Sequence, residues 1–130
     1  MDMLPVANKL ETEGLGTQGT TLFINFMPME CKEGVLLRSP LSGTPINAEM
    51  PGYYKTAFMV IVRGHDYASA SALMENVMRT LVLYDQDLDD IFVKYMRPAG
   101  LPVTFPVSVG NFYEIKVEFD ICYTGVSYGY

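Results

Sequence analysis

A strict alternation of side chains near the end of the chain constrains the fold more than any other feature. From Phe112 to Thr124, the odd-numbered residues are apolar or aromatic. The opposite positions carry charge, at Glu114, Lys116, Glu118 and Asp120. Because successive side chains of a strand point to opposite sides of its sheet, this pattern predicts a long strand with one dry and one wet face.

Other segments predict the elements that accompany this strand. Leu4 to Thr12 has apolar residues at helical spacing and is followed by Gly14, which ends the predicted first helix. Asp66 stands where an N-cap belongs, and the predicted second helix runs from there to about Tyr84. Further strands are predicted at Thr20–Met27, Gly34–Ser39, Tyr53–Arg63 and Asp90–Arg97. The connection Pro98–Pro106 is predicted to lack regular structure.

These elements predict one α+β domain over residues 1–130, with a mainly antiparallel sheet and both helices packed on one face. Within the strand Tyr53–Arg63, the run Ala57–Val62 is apolar at every position. Such a run is typical of a central strand that is covered on both sides, by helices or by a neighbouring subunit. In Asp90–Arg97, we expect Ile91, Val93 and Tyr95 to share one face.

The segment Pro40–Gly52 interrupts the regular elements. It contains three prolines and two glycines, which exclude a long helix or strand. We expect a projecting loop, and its apolar side chains Leu41, Ile46 and Met50 indicate that part of it docks onto another surface.

The composition favours an assembling protein. Hydrophobic residues make up 49% of the chain and charged residues only 18%, below the usual value of about 25%. Apolar surface left exposed on a soluble domain usually marks a contact site. Methionine and tyrosine, present nine times each, suit such surfaces. The candidate subunit interface is Leu41, Ile46, Met50, Tyr53, Tyr54, Tyr128 and Tyr130.

The charge distribution argues against a nucleic-acid-binding function. The formal net charge is −6, and the nine basic residues form no cluster along the sequence, whereas phosphate binding requires one. Four carboxylates, which we expect in a helix-to-strand connection, form a candidate acidic lumen or partner surface: Asp85, Asp87, Asp89 and Asp90. Asp85, Asp87 and Asp89 have the spacing with which a calcium-binding loop begins. The sixth and twelfth positions of such a loop would be Asp90 and Met96, where calcium binding requires Gly and Glu.

Motifs that resemble catalytic or cofactor sites lack the required context. Gly14–Gly19 matches G-x-G-x-x-G but follows a predicted helix instead of a strand. Gly125–Gly129 matches G-x-S-x-G, yet no histidine follows it. His65 is the only histidine and is predicted to close a turn. Cys31 and Cys122 are expected to be inert thiols, although Cys122 falls on the wet face of the last strand, where it could react.

We therefore predict no catalytic residue, no cofactor and no metal site. The chain opens without a secretory signal. Its longest apolar run, Ala57–Val62, is too short to span a bilayer. These features favour an intracellular origin with reduced thiols and no membrane partner.

The segment Leu36–Leu81 resembles the tail terminator proteins of tailed bacteriophages. The similarity includes the long Pro/Gly loop, the strand that ends in Val62-Arg63-Gly64, and a helix with an Ala-rich start that begins at Asp66. Pro106–Asp120 is also similar, with a Pro-bounded link, Gly110 and a long alternating strand.

The resemblance implies a structural virion protein with no chemistry of its own. It implies a ring, expected to be hexameric, that is assembled in the host cytoplasm and caps the tail tube. The expected partners are further copies of the chain, the tail tube protein and the head connector or stopper protein, with DNA passing through the lumen without specific binding. Two alternatives remain open, namely another neck or stopper protein and a small-ligand-binding α+β domain.

Overall fold

Nine regular elements follow one another in the part of the chain that the structure describes. The computed structural model describes residues 1–107 and 111–125. The helices are α1 (Leu4–Thr12) and α2 (Tyr67–Leu81). The strands are β1 (Leu22–Ile24), β2 (Gly34–Arg38), β3 (Tyr53–Gly64), β4 (Leu83–Leu88), β5 (Ile91–Pro98), β6 (Val103–Val107) and β7 (Phe112–Thr124).

All seven strands belong to one sheet, with the order β1-β2-β3-β7-β5-β4. The sixth strand, β6, pairs with the start of β7, from Phe112 to Lys116. Strand β5 pairs with the same edge of β7 farther along, from Phe119 to Thr124. Only β1 and β2 are parallel to each other among these pairs. The predicted α+β class with a mainly antiparallel sheet is confirmed.

The two longest strands form the centre of the sheet. Twelve residue pairs join β3 to β7, from Tyr53 opposite Thr124 to Gly64 opposite Tyr113. Directly opposite residues of paired strands lie on the same face of a sheet. This register therefore puts the apolar positions of β7 on the same side as Phe58, Val60 and Val62 of β3.

Both helices lie on that apolar side, which we call the covered face. Leu10 of α1 and Val77 of α2 are fully buried in the core that also contains Val60 and Phe119. The rings of Phe58 and Phe119, a directly opposite pair, stack with their centroids 5.5 Å apart. The prediction that both helices pack on one face is confirmed.

The sharp turn from β3 into α2 depends on two neighbouring residues. The carboxylate of Asp66 accepts a hydrogen bond of 2.7 Å from the backbone N–H of Ser69, which confirms the predicted N-cap. A Cβ atom added at Gly64 would lie 2.8 Å from the Cβ and the backbone N of Ala70. Only glycine therefore lets the helix begin this close to the end of β3.

The structure corrects the predicted bounds of two elements and adds two strands. The second helix ends at Leu81, because Val82 has an extended backbone and begins the path into β4, which the sequence analysis missed. The connection Pro98–Pro106 contains most of β6. Strand β1 ends at Ile24, since Asn25 adopts a left-handed conformation with φ 66°.

Two predicted side-chain positions are also wrong. A register shift between Val93 and Tyr95 puts Val93 and Met96 in the core and turns Tyr95 to the opposite face. Cys122 is buried, with 1% of its surface exposed, because Lys55 and Tyr95 flank it on the neighbouring strands. The expectation that Cys122 lies on a solvated face is therefore not met.

Candidate assembly surfaces

The side of the sheet opposite the helices, which we call the open face, carries a different set of residues. Charged and aromatic side chains alternate there with a few aliphatic ones, among them Met59 and Ile61 of β3. Part of this face is covered by residues 25–33, whose Met27 packs against Leu36 and Ile61 in a small second core. Neither of the helices found among the described residues lies over the remainder.

Arg63 holds residues 25–33 onto the open face. Its guanidinium donates a 3.0 Å hydrogen bond to the carboxylate of Glu114, directly opposite on β7. It donates two more, of 2.9 and 3.0 Å, to the backbone oxygens of Pro28 and Cys31. The side chain is buried, and its charge is matched by an ion pair and two carbonyl dipoles. The segment so fixed exposes Phe26, with 73% of its surface in solvent.

Cations lie against aromatic rings across the whole open face. In each pair the cation sits 4.3 to 5.1 Å from the ring centroid, close enough for a cation–π attraction. The pairs are Arg63 with Phe112, Lys94 with Phe92, Arg97 with Tyr95, and Lys116 with Phe105. Arginine and aromatic side chains are enriched at protein interfaces, whereas lysine is depleted.

A groove with apolar walls crosses the open face. It consists of two adjoining hollows of about 240 and 420 Å³, and both are lined by Met59 and Glu118. Leu41 forms one wall and Leu101 the other. These leucines are 90% and 89% exposed, more than any other large hydrophobic side chain among residues 1–107 and 111–125. No part of the chain that the structure describes covers this apolar groove.

The predicted loop lies where the sequence placed it. No helix or strand occurs between Arg38 and Tyr53. Ile46 and Met50 are about half exposed, and Tyr53 is half-buried at the start of β3. A hydrogen bond with Cys122 is the main cause that raises the pKa of the Tyr53 phenol.

Tyr54 departs from the prediction of an exposed interface tyrosine. Only 7% of its surface is accessible, and its ring lies 5.3 Å from that of Tyr123 in the core. The strand register explains this, since Tyr54 and Tyr123 are directly opposite on the covered face. The remaining two tyrosine candidates, Tyr128 and Tyr130, lie outside the described residues.

A cavity of about 400 Å³ opens between the loop, the start of the chain and the β4–β5 turn. Ile46, Ile91 and Tyr123 supply apolar lining, and Asp2 and Asp90 supply carboxylates. The hydroxyl of Thr44 is buried beside it without a hydrogen-bond partner. No basic side chain lines the cavity.

The four candidate acidic residues lie on a β-hairpin instead of the predicted helix-to-strand connection. Asp85 and Asp87 belong to β4, while Asp89 and Asp90 form the turn into β5. All four are exposed, and Asp89 accepts a 2.8 Å hydrogen bond from the side chain of Asn8. Over residues 1–107 and 111–125, no three His, Cys, Asp or Glu side chains are placed to hold a metal ion.

Two other segments singled out in the sequence form turns that are held by side-chain contacts. The turn Gly14–Gly19 connects α1 to β1, and Gln18 within it bonds to Asn8 and Glu11. His65 lies in the turn between β3 and α2, where its Nε2 is 3.2 Å from a carboxylate oxygen of Glu33. Ser127 of the G-x-S-x-G match lies outside the described residues.

A family model described as "Bacteriophage tail terminator protein" matches residues 9–124. The chain belongs to the bacteriophage tail terminator family. The match includes both longest strands, the loop, the acidic hairpin and every residue named above on the groove. The protein is thus a structural component of the phage tail and of the virion, as the resemblance implied.

A solved structure agrees with this assignment at the level of the fold. A chain from the "Virion of native gene transfer agent (GTA) particle" is 17% identical to this tail terminator family member. Each chain covers 92% of the other, with a TM-score of 0.69. No curated protein matches the sequence. Among the described residues, no helix is long and apolar enough to cross a membrane.

Proposed function

We propose that copies of this chain close into a ring, hexameric in stoichiometry, on the end of the phage tail tube. The ring ends tube polymerisation by covering the surface to which the next tube subunit would add. Its other side meets the head connector or stopper protein. The mechanism is steric, requires no catalytic residue, and operates during particle assembly in the host cytoplasm.

The uncovered apolar groove on the open face is the observation that carries this proposal. Leu41 and Leu101 hold nearly their whole side chains in solvent on the two walls of one groove. Burial of a leucine side chain contributes roughly 1.5–3 kcal/mol. A contact that buries both would therefore supply a large part of the free energy that an interface of moderate affinity needs.

A ring requires that two different surfaces of the chain meet. Identical patches that face each other give a closed dimer, whereas unlike patches produce a ring or a filament. The loop offers a second apolar surface, since Ile46 and Met50 are about half exposed and Ile46 lines the cavity beside Ile91 instead of the groove. We assign Leu41, Ile46, Met50 and Tyr53 to subunit contacts on this basis.

The acidic charge of the chain suits a lumen through which DNA passes. The net charge is −6, and the carboxylates of Asp85, Asp87 and Asp90 are exposed on one hairpin. Phosphates are repelled by such a surface, so that DNA moves past without specific binding. The same carboxylates can instead face a basic surface of a partner.

Two measurements test the proposal. Native mass spectrometry of the full chain, alone and with tail tubes, should give a species of six 14.5 kDa subunits. Electron microscopy of tube assembly should show defined lengths with the chain and overlong tubes without it. A ring that leaves tube length unchanged would favour another neck or stopper protein. A monomer whose Tm rises with a small ligand would instead favour a ligand-binding domain.

A further inference from the structure

The charges of this chain are segregated between its two sides. By strand register and ring contacts, six of the nine basic residues lie on the open face, against four of the fifteen acidic ones. The six are Arg38, Lys55, Arg63, Lys94, Arg97 and Lys116. The four are Asp87 at the outer edge of the sheet, and Glu114, Glu118 and Asp120 on β7. The open face is therefore net positive, although the whole chain is net negative.

The remaining eleven acidic residues and three basic ones lie outside these strand positions, with Glu30, Lys32 and Glu33 on the segment 25–33 that covers part of the open face. Four carboxylates, Asp87 among them, are concentrated on the β4–β5 hairpin, which forms one end of the sheet. Copies with a net charge of −6 repel one another. A contact that places the net positive face on an acidic surface opposes this repulsion and fixes which surfaces meet.

We propose that the open face of one copy binds the β4–β5 hairpin of the next copy, and that this contact closes the ring. The inference rests on the ring function proposed above and names the surfaces that meet. In the proposed contact, Lys55 and Arg97 of one copy face the carboxylates of Asp87 and Asp90 of the next. Tyr84 of β4, 56% exposed, provides an aromatic side chain for the groove at Met59 and Leu101.

The geometry of the sheet permits each copy to make this contact twice. The groove lies over β3 and β7 at the centre of the sheet, whereas β4 is the outermost strand at one end. The hairpin can therefore enter the neighbour on one side while the groove receives the neighbour on the other. Such a head-to-tail contact is heterologous, as ring closure requires.

A charge-exchange experiment on the full chain tests this interface. In the face variant, Lys55→Glu and Arg97→Glu are combined; in the hairpin variant, Asp87→Lys and Asp90→Lys. Lys9→Glu with Arg79→Glu, on the two helices, is the matched control for the face variant, since it makes the same change in net charge; the hairpin variant changes the net charge in the opposite direction. Circular dichroism confirms folding, and sedimentation velocity at low salt gives the protein concentration at half assembly.

We expect each interface variant to require at least a tenfold higher concentration than the helix control, as expected for close charge pairs across an interface. A chain that carries all four interface substitutions should regain assembly, since every contact pair is then exchanged. Added salt should weaken wild-type assembly and that of the fourfold variant alike.

Three results would overturn the interface. The face variant could assemble as readily as the helix control, or the fourfold variant could fail to recover while it remains folded. Rings of the face variant that no longer bind tail tubes would show that the open face meets another protein. These outcomes leave the ring function intact. A wild-type chain that stays monomeric even on tail tubes would remove the ring function, and this interface with it.

Discussion

The two faces of the sheet differ in how far other elements of the same chain cover them. On the covered face, α1 and α2 bury an aliphatic and aromatic core in which Val60 and Phe119 have no exposed surface. On the open face, cations stack on rings and a groove between Leu41 and Leu101 stays uncovered. The comparison shows that the fold is stabilised mainly from one side, which leaves the other side available for contacts with other subunits.

The largest loss of stability should follow removal of a covered-face ring. Phe119→Ala leaves a cavity next to Phe58 and should lower the free energy of unfolding by about 3–5 kcal/mol. Phe105→Ala on the open face removes a half-exposed ring and should cost about 1 kcal/mol or less. Urea unfolding of both variants measures the difference. Equal losses would contradict the asymmetry between the faces.

Among the charged residues of the open face, Arg63 should be costly to replace in the single chain. Arg63→Met leaves the carboxylate of Glu114 and the carbonyls of Pro28 and Cys31 without their donor, at roughly 3 kcal/mol. Hydrogen exchange at the Cys31 amide should accelerate, because residues 25–33 lose their attachment. The double variant Arg63→Met/Glu114→Gln should recover part of the loss. No recovery would show that the ion pair is not the source.

A single methyl group should damage the turn into α2. Gly64→Ala places a Cβ 2.8 Å from Ala70, and this overpacking should cost about 1–3 kcal/mol. Gly43→Ala is the control, since an added Cβ there meets no atom within 4 Å. Thermal unfolding should separate the two variants. A Tm of Gly64→Ala equal to that of the control would refute the close approach.

The N-cap of α2 should make a smaller, pH-dependent contribution. The backbone N–H of Ser69 is the main cause that holds the pKa of Asp66 below its ordinary value of 3.8. A lowered pKa stabilises the fold above the unfolded value, and this stabilisation is lost as the pH falls through the folded pKa. Asp66→Ala should therefore lower Tm at pH 7, and the difference from wild type should shrink as the pH falls below 3.8. Asp66→Asn keeps a cap and serves as the control.

The groove leucines should matter least to the single chain. Leu41→Ser and Leu101→Ser remove side chains that are already in solvent, so each should change stability by no more than about 0.5 kcal/mol. Both should weaken ring assembly, which native mass spectrometry detects. Serine at Leu4, on α1 and also exposed, is the comparison that should leave assembly unchanged.

Much of the covered face could be predicted from sequence, because the spacing of apolar residues indicates which side of a helix or strand is buried. The bounds Leu4–Thr12 and Phe112–Thr124 coincide with α1 and β7. Strand β4 was missed because its sequence, LYDQDL, has little β-propensity and is held by pairing with β5. The groove was missed since Leu41, Met59 and Leu101 come from three separate segments. The segregation of charge likewise depends on the strand register, which the linear order of residues does not reveal.

Hydroxyl-radical footprinting of the free subunit and of the assembled ring tests most directly whether the open face is the contact surface. Leu41 and Leu101 should be oxidised readily in the subunit and protected in the ring, while Leu4 and Tyr67 on the helices keep their reactivity. Undiminished oxidation of both groove leucines in a ring of confirmed mass would contradict the account.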